Sequence, residues 1–416
     1  MSDNLPKFSK SLFTQQEEEK STWDSLPPEI LLDIIIRLPI KSIITCTSVC
    51  KTWKSLIQNP SFISDHLRHS TTKYDHPLLL FRLCSKKVVL GIGGPVWFKD
   101  EKEFYALHWD NQNFNEYNRF DDFPFHAQCR RGIFRVVGTC NGLVCLVDDF
   151  GCYSHNFILW NPCLRKFVQL PKPNIKFRKH LTYIPSFGFG FDTKTNDYKV
   201  VRIMTFRDRD NLGVGESPLK VEVGVEIYSL ATGEWKTLTA VPPTATELYG
   251  HPHASISGAL HWVAFRRIKD DKFLEFVSVL NLEDEVFREI ALPKLGINGN
   301  RLPTFISAYG NSLALFQKVS MDPLSIWLME EYGNASSWTK IVTFVDQGPR
   351  RNKPQVKGFR KSGEAILLMT NGKLVSRGLE TQEIKDLGMA GSYNTFVDSY
   401  IESLVLLDKA NHAVTY

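Results

Sequence analysis

The chain has few of the features that announce a chemistry. Its eight cysteines (46, 50, 84, 129, 140, 145, 152 and 163) all lie in the first 163 residues, and no two form the C-x-x-C pair that starts a zinc site. No apolar run reaches the roughly 18 residues that a membrane helix needs. The opening stretch MSDNLPKFSKSLFTQQEEEK has no apolar core of the kind a secretory signal requires. These absences set an expectation of cytoplasm or nucleus, with the cysteines as free thiols. Charge of one sign is missing too: 50 basic against 45 acidic residues leaves +5, too mild for a nucleic-acid or membrane surface.

Catalytic signatures are equally scarce. There is no G-x-x-x-x-G-K-[ST] loop, and the glycines of GFGFD (188–192) lack the strand-to-helix setting that phosphate binding needs. His251 and His253 form the tightest histidine pair, with no further ligand at metal spacing. Asp121-Asp122, Asp148-Asp149 and Glu283-Asp284-Glu285 fall in segments that read as turns, where solvated carboxylates are the rule. No catalytic residue, metal or cofactor is expected.

What the chain has is aromatics, 28 Phe, 13 Tyr and 9 Trp in 416 residues, a load that favours strands. The front end differs. From Pro27 to Leu38, Leu31, Ile34, Ile35 and Leu38 recur at i, i+3, i+4 and i+7, one face of a helix opened by Pro27-Pro28 near Ser25 and stopped by Pro39. A second helix is expected over Ile40 to Thr47. A third should run from Val49 to Ile57, with Val49, Trp53, Leu56 and Ile57 on one side. About 40 residues make a marginal core, and this stretch spends more Leu, Ile and Trp than three short helices can bury among themselves.

LPPEILLDIIIRLP followed by VCKTWKSLI resembles an F-box, the module that hangs substrate receptors on the Skp-type adaptor of SCF ubiquitin ligases. The likeness covers about residues 23–67. It implies that Leu26, Pro27, Ile30, Leu31, Ile34, Ile35, Leu38, Pro39, Val49, Cys50 and Trp53 divide between the module's core and its adaptor face, a division the sequence leaves open. Thr45 and Cys46 stand where many plant relatives place a basic residue and an aromatic.

From Pro77 onward, apolar runs of four to seven residues alternate with turn residues, an all-β pattern: PLLLF, GLVCLV, FILW, YKVVRI, VEVGVEIY, FVSVL, SLALF, SIWLM, EAILLM and SLVLL. Four segments repeat a strand, a polar turn and a strand carrying an aromatic. Those aromatics, Phe167, Trp235, Phe287 and Trp338, are 68, 52 and 51 residues apart. Glycine turns at 142, 258, 310 and 363 precede apolar strands at gaps of 116, 52 and 53, the first close to two periods. A period near 50 with several strands per unit predicts propeller blades, because a lone blade cannot cover both faces of its sheet. Residues 78–408 hold enough chain for roughly six or seven, of which six is the expectation, and the final run SYIESLVLLD is expected to complete the blade begun by PLLLF. A large β-sandwich with irregular repeats is the alternative.

CNGLVCL, LWNPCLRKF, FGFGFDTKTNDYKVV, VEIYSLATGEWKTL and VDSYIESLVLLD resemble the plant F-box-associated, kelch-like domain, over about residues 78–410. True kelch repeats carry paired glycines in every blade, whereas Gly93-Gly94 is the one adjacent pair here. The expected fold is therefore mainly β: a tail (1–22), a three-helix F-box (23–67), a linker (68–77) and a β-propeller of about six blades (78–410).

The resemblance implies a non-catalytic substrate-recognition subunit of an SCF-type ligase, with the Skp-type adaptor, a cullin through it, and an unidentified target protein as partners. A propeller scaffold no longer coupled to a ligase is the alternative, and a carbohydrate-active propeller enzyme a more distant one. Loops on a rigid scaffold are where binding residues usually sit. The basic segments KFRKH and RDRD, with Lys176, Arg178, Lys179, Arg207 and Arg209, are the candidate target-binding residues, and RRNK (350–353) is a further basic segment.

Overall fold

In this computed structural model the described residues are 26–73, 77–89, 97–123, 133–148, 156–176, 181–208, 221–240, 242, 246–248, 254–268, 273–293, 304–317, 324–344, 354–409 and 413–415. The chain divides into two compact units that meet in sequence between His66 and Leu67.

The front unit is helical. Helices α1 (Pro28–Ile35), α2 (Ile40–Cys46) and α3 (Lys51–Ile57) stand close to the expected positions, and a fourth, α4 (Pro60–Lys73), crosses the unit boundary into the segment read as a linker. The N-cap of α1 is Pro27, with no side-chain bond; Ser25 lies outside the described residues. Pro39 does not merely stop α1, since it is also the N-cap of α2. Helix α3 starts two residues later than expected. Cys50 is its N-cap, its sulfur accepting the Trp53 amide at 3.4 Å, so Val49 lies outside the helix.

The rest is six antiparallel sheets. The first contains β1 (Leu78–Val89), β2 (Trp97–Trp109) and β3 (Glu116–Phe120). The second is β4 (Arg135–Cys140), β5 (Leu143–Asp148), β6 (Asn156–Asn161) and β7 (Lys166–Gln169); the third is β8 (Leu181–Asp192), β9 (Asp197–Asp208), β10 (Val221–Ser229) and β11 (Glu234–Leu238). In the fourth, β12 (Thr246–Leu248) and β13 (Ala254–Ile256) both pair with β14 (Ala259–Arg267), which leads to β15 (Phe273–Asn281) and β16 (Phe287–Ala291). The fifth is β17 (Thr304–Tyr309), β18 (Ser312–Gln317), β19 (Leu324–Met329) and β20 (Trp338–Phe344); the sixth is β21 (Gln355–Phe359), β22 (Ala365–Leu368), β23 (Lys373–Arg377) and β24 (Ile384–Ala390).

The chain's last strands finish the first two sheets. β25 (Phe396–Tyr400) pairs with β1, and β26 (Ala413–Thr415) pairs with β7. The innermost strands β25, β4, β8, β13, β17 and β21 each touch the next, and β21 returns to β25. The ring is closed, a six-bladed propeller.

The sequence pattern follows from position in a blade. β5, packed between sheets, is buried at all six residues, whereas the outermost β11 buries only Trp235 and Leu238. The four recurring aromatics Phe167, Trp235, Phe287 and Trp338 stand on β7, β11, β16 and β20, the fourth strands of successive blades. Two of them tie one blade to the chain before it, Trp235 Nε1 donating to the Pro171 carbonyl and Trp338 Nε1 to that of Ala291. The glycine turns all join a blade's first strand to its second. The double gap falls on the third blade, where Asn196 takes the positive φ (54°) in place of glycine.

The core lies between blades rather than at one centre. Trp160 of the second blade meets Tyr105 and Phe120 of the first edge-on, at 5.0 and 5.5 Å between centroids, and Phe157 meets Phe187 of the third at 5.4 Å. Gly188 and Gly190 belong to this packing. A Cβ at Gly188 would press on Leu260 and Trp262, so these glycines let β8 approach the fourth blade.

Closure differs in one detail from expectation. Only Ser399 and Tyr400 of SYIESLVLLD lie in β25; SLVLL is no strand but an irregular stretch leading into a turn, and its Leu404, Val405, Leu406 and Leu407 are buried. Asp148 is likewise no turn residue: it ends β5 and is fully buried.

Candidate functional site

The helical unit divides the residues of its motif between buried and exposed positions. Leu31 (5% exposed) and Ile35 (1%) are buried, together with Ile40, Ile43 and Ile57. Ile30 (50%), Ile34 (39%) and Val49 (62%) stay open to solvent, and Pro27, Pro39 and Cys50 are exposed too. Leu26, Leu38 and Trp53 are half-buried. The spacing i, i+3, i+4, i+7 placed Ile34 with Leu31 and Ile35, but the apolar stripe of α1 is wider than its buried part. Ile30 and Ile34 form the uncovered margin. Three large apolar side chains left open in so small a unit exceed the scattered exposure normal for a soluble surface.

Three of the propeller's motifs, CNGLVCL, LWNPCLRKF and VDSYIESLVLLD, converge on the seam where the ring closes. Asn141-Gly142 is a two-residue turn with both φ positive (50° and 81°), the geometry that matches strand twist. A Cβ at Gly142 would sit 2.7 Å from the Ile401 carbonyl oxygen, so glycine is required twice over. The Tyr400 hydroxyl donates to the Gly142 carbonyl at 3.2 Å, and Thr139 Oγ1 donates to Asp398 at 2.6 Å. Asn161, fully buried, donates through Nδ2 to the carbonyls of Ser403 (3.0 Å) and Val405 (2.7 Å). Burial pushes the Asp398 carboxyl up to about 6, against donors from Thr139 and Ser399 that pull it down. These are structural roles that single motifs, far apart in sequence, could not reveal.

Burial makes Cys140 and Cys163 poor nucleophiles. Among the described residues Cys46, Cys50, Cys84, Cys140, Cys145 and Cys163 are in no disulfide, and burial pushes the thiols of Cys140 and Cys163 up to about 12. Among the described residues no group of three His, Cys, Asp or Glu could hold a metal ion; His251 and His253 lie outside them. Asp121 is paired with Arg119, and Glu285 bridges Lys199 and Lys236. Of the candidate target-binding residues, Lys176 is exposed at the approach to β8. Arg178, Lys179 and Arg209 lie outside the described residues, and Arg207 is placed only by its backbone, in β9 opposite Thr182 and Val221. No described helix is long and apolar enough to cross a membrane.

At the inner ends of the blades is a cavity of about 850 Å³, lined by strands from all six. Lys357 of β21 and Tyr393, just before β25, stand on it: Lys357 Nζ donates to the Tyr393 carbonyl at 2.9 Å and lies 5.6 Å from the ring centroid.

The comparisons agree with both halves. The F-box domain family matches residues 23–65, and the F-box associated beta propeller domain family matches residues 99–405. Among curated proteins, F-box protein At3g07870 of Arabidopsis thaliana is 28% identical over 85% of this chain and 82% of its own length. F-box protein CPR1 of the same plant is 27% identical over 92% and 89%. Of solved structures, TolB from Acinetobacter baumannii resembles 82% of this chain and 72% of its own at 11% identity and a TM-score of 0.41. With the F-box match in front and the propeller match covering most of the remainder, the chain belongs to the plant-type F-box proteins that carry an F-box-associated β-propeller.

Proposed function

We propose that this chain is a substrate receptor of an SCF-type ubiquitin ligase. The open margin of the helical unit docks a Skp-type adaptor and, through it, a cullin, while the propeller captures a target protein for ubiquitination. The observation that carries the reading is the exposed apolar set Ile30, Ile34 and Val49, flanked by Pro27 and Pro39. Burying such a set against a partner is worth about 25 cal/mol per Å² of apolar surface, less the cost of association.

In this reading the receptor performs no bond chemistry. It raises the concentration of its target beside the ligase's catalytic partners by holding both at once. It works in the cytoplasm or nucleus, where reduced thiols persist. Target capture uses the basic segments around Lys176, Arg178, Lys179, Arg207 and Arg209, whose charge steers encounter more than it adds affinity.

Co-expression with a Skp-type adaptor tests the first half: a stable complex that recruits cullin is expected. A propeller that stays free of adaptor would instead favour an uncoupled scaffold. Proteins that accumulate when the chain is removed, and that bind its propeller directly, would identify the target.

A further inference from the structure

The central cavity has a chemistry that the receptor reading does not use. At about 850 Å³ it falls within the range of pockets that enclose small organic molecules. Phe187, Phe305 and Phe396 give it apolar walls. Its charged lining is unbalanced: Arg82, Arg135 and Lys357 are basic, and Asp398 is the one acidic residue among the described lining.

The basic residues are not equivalent. Arg82 is buried against Glu103 and donates to the carbonyls of Asn394 and Phe134, so its donors are engaged within the protein. Lys357 is half-buried, and among the described residues no carboxylate lies within ion-pair reach of it. Its one described hydrogen bond goes to the Tyr393 carbonyl, although an ammonium carries three N–H donors. Burial, with Arg82 nearby, pushes its pKa down to about 8. A cation held in a cavity with no described carboxylate in ion-pair reach is a costly arrangement that an incoming anion relieves.

We propose that the cavity binds a small organic anion, a carboxylate or phosphate monoester on an aromatic or aliphatic body, with Lys357 as its charge partner and Phe187, Phe305 and Phe396 around the body. The site is independent of the adaptor face, so its success or failure leaves the receptor reading untouched.

Two fluorescent probes that share their aromatic rings test it on the full chain: 8-anilinonaphthalene-1-sulfonate, which is anionic, and N-phenyl-1-naphthylamine, which is neutral. Lys357→Met should weaken the anionic probe about ten-fold or more, as loss of a charge-assisted hydrogen bond implies, and change the neutral probe less than about two-fold. Lys357→Arg, which keeps the charge, should retain most of the anionic probe's affinity. In the unmodified chain phenyl phosphate should displace the anionic probe, and phenol at the same concentration should not. Unchanged anionic affinity in Lys357→Met, equal losses for both probes, or equal displacement by phenyl phosphate and phenol would overturn the proposal. The displacement arm stands even where the methionine variant fails to fold.

Discussion

Arg82 of β1 and Glu103 of β2 meet diagonally through their side chains, Nε to Oε2 at 2.9 Å, and together they hold both backbone polar groups of Phe134. Arg82 donates to the Phe134 carbonyl at 2.6 Å, and the Phe134 amide donates to Glu103 at 3.2 Å. The third blade repeats the device: Arg202 and Glu226 are 2.5 Å apart and hold the carbonyl and amide of Ile175 at 3.0 and 2.7 Å. In each case a buried ion pair clamps the chain as it passes between blades. Arg82 also donates to the Asn394 carbonyl, which ties the approach to β25 into the same clamp.

Removing one member of a buried pair strands the other charge and here takes a hydrogen-bond partner from Phe134 as well. Arg82→Met should therefore lower unfolding stability by about 3–5 kcal/mol. Pairing it with Glu103→Leu should cost less than the two single changes added together. Urea titration of the three variants measures this; a loss below about 1 kcal/mol for Arg82→Met would mean that the clamp carries no load.

Ring closure makes a sharper prediction about the C-terminus. A chain ending before Phe396 exposes the edge of β1 and loses the inner strand that β4 and β21 pack against, so it should melt without cooperativity or aggregate. A chain lacking only residues 410–416 loses β26, which pairs through three residues, and should keep most of its stability. Circular dichroism melts of the two decide it. Equal stability would contradict closure by β25.

How far this architecture could be read in advance depended on whether its cause was local. The fourth-strand aromatics and the first-turn glycines recur because each blade solves the same packing problem, so period and blade count were visible in Phe167, Trp235, Phe287 and Trp338. FVDSY is short and mixed and gives no strong strand signal of its own; what makes it a strand is its pairing with β1, more than 300 residues away. SLVLL read as a strand because its apolar content is high, yet its burial comes from an irregular stretch and turn held by Asn161. Arg82 and Glu103 carry no local sign of their pairing, since they are 21 residues apart and meet only across the sheet. On the helical side, the motif located the F-box but could not divide Ile30 from Leu31, because that division depends on how the other helices pack.

Asp398 should impose a pH dependence. Its folded pKa of about 6 lies above the ordinary carboxylate value of 3.8, so the folded state holds the proton more tightly than the unfolded chain. Its contribution to stability falls as pH rises from about 4 to 6 and is level above that. Asp398→Asn should raise the melting temperature at pH 7 and lose that advantage near pH 4. Melting curves across this range check it; an advantage that persists unchanged at pH 4 would show that ionisation is not its cause.

Charge reversal at Lys176, Arg178 and Lys179 to Glu should slow target association several-fold, flatten its salt dependence and leave adaptor binding unchanged. Association kinetics at two ionic strengths, with an identified target, test this. Identical kinetics for reversed and native chains would move recognition to apolar loop residues.

Adaptor affinity of surface and core variants of α1, measured side by side, tests the receptor account most directly. Ile30→Asp combined with Ile34→Asp changes only exposed side chains. It should leave the melting temperature within a few degrees of the native chain and abolish binding to a Skp-type adaptor in isothermal titration. Leu31→Ala removes a buried side chain, and should destabilise the helical unit by about 2–5 kcal/mol. Adaptor binding at native affinity by the folded Ile30→Asp, Ile34→Asp chain would contradict the account.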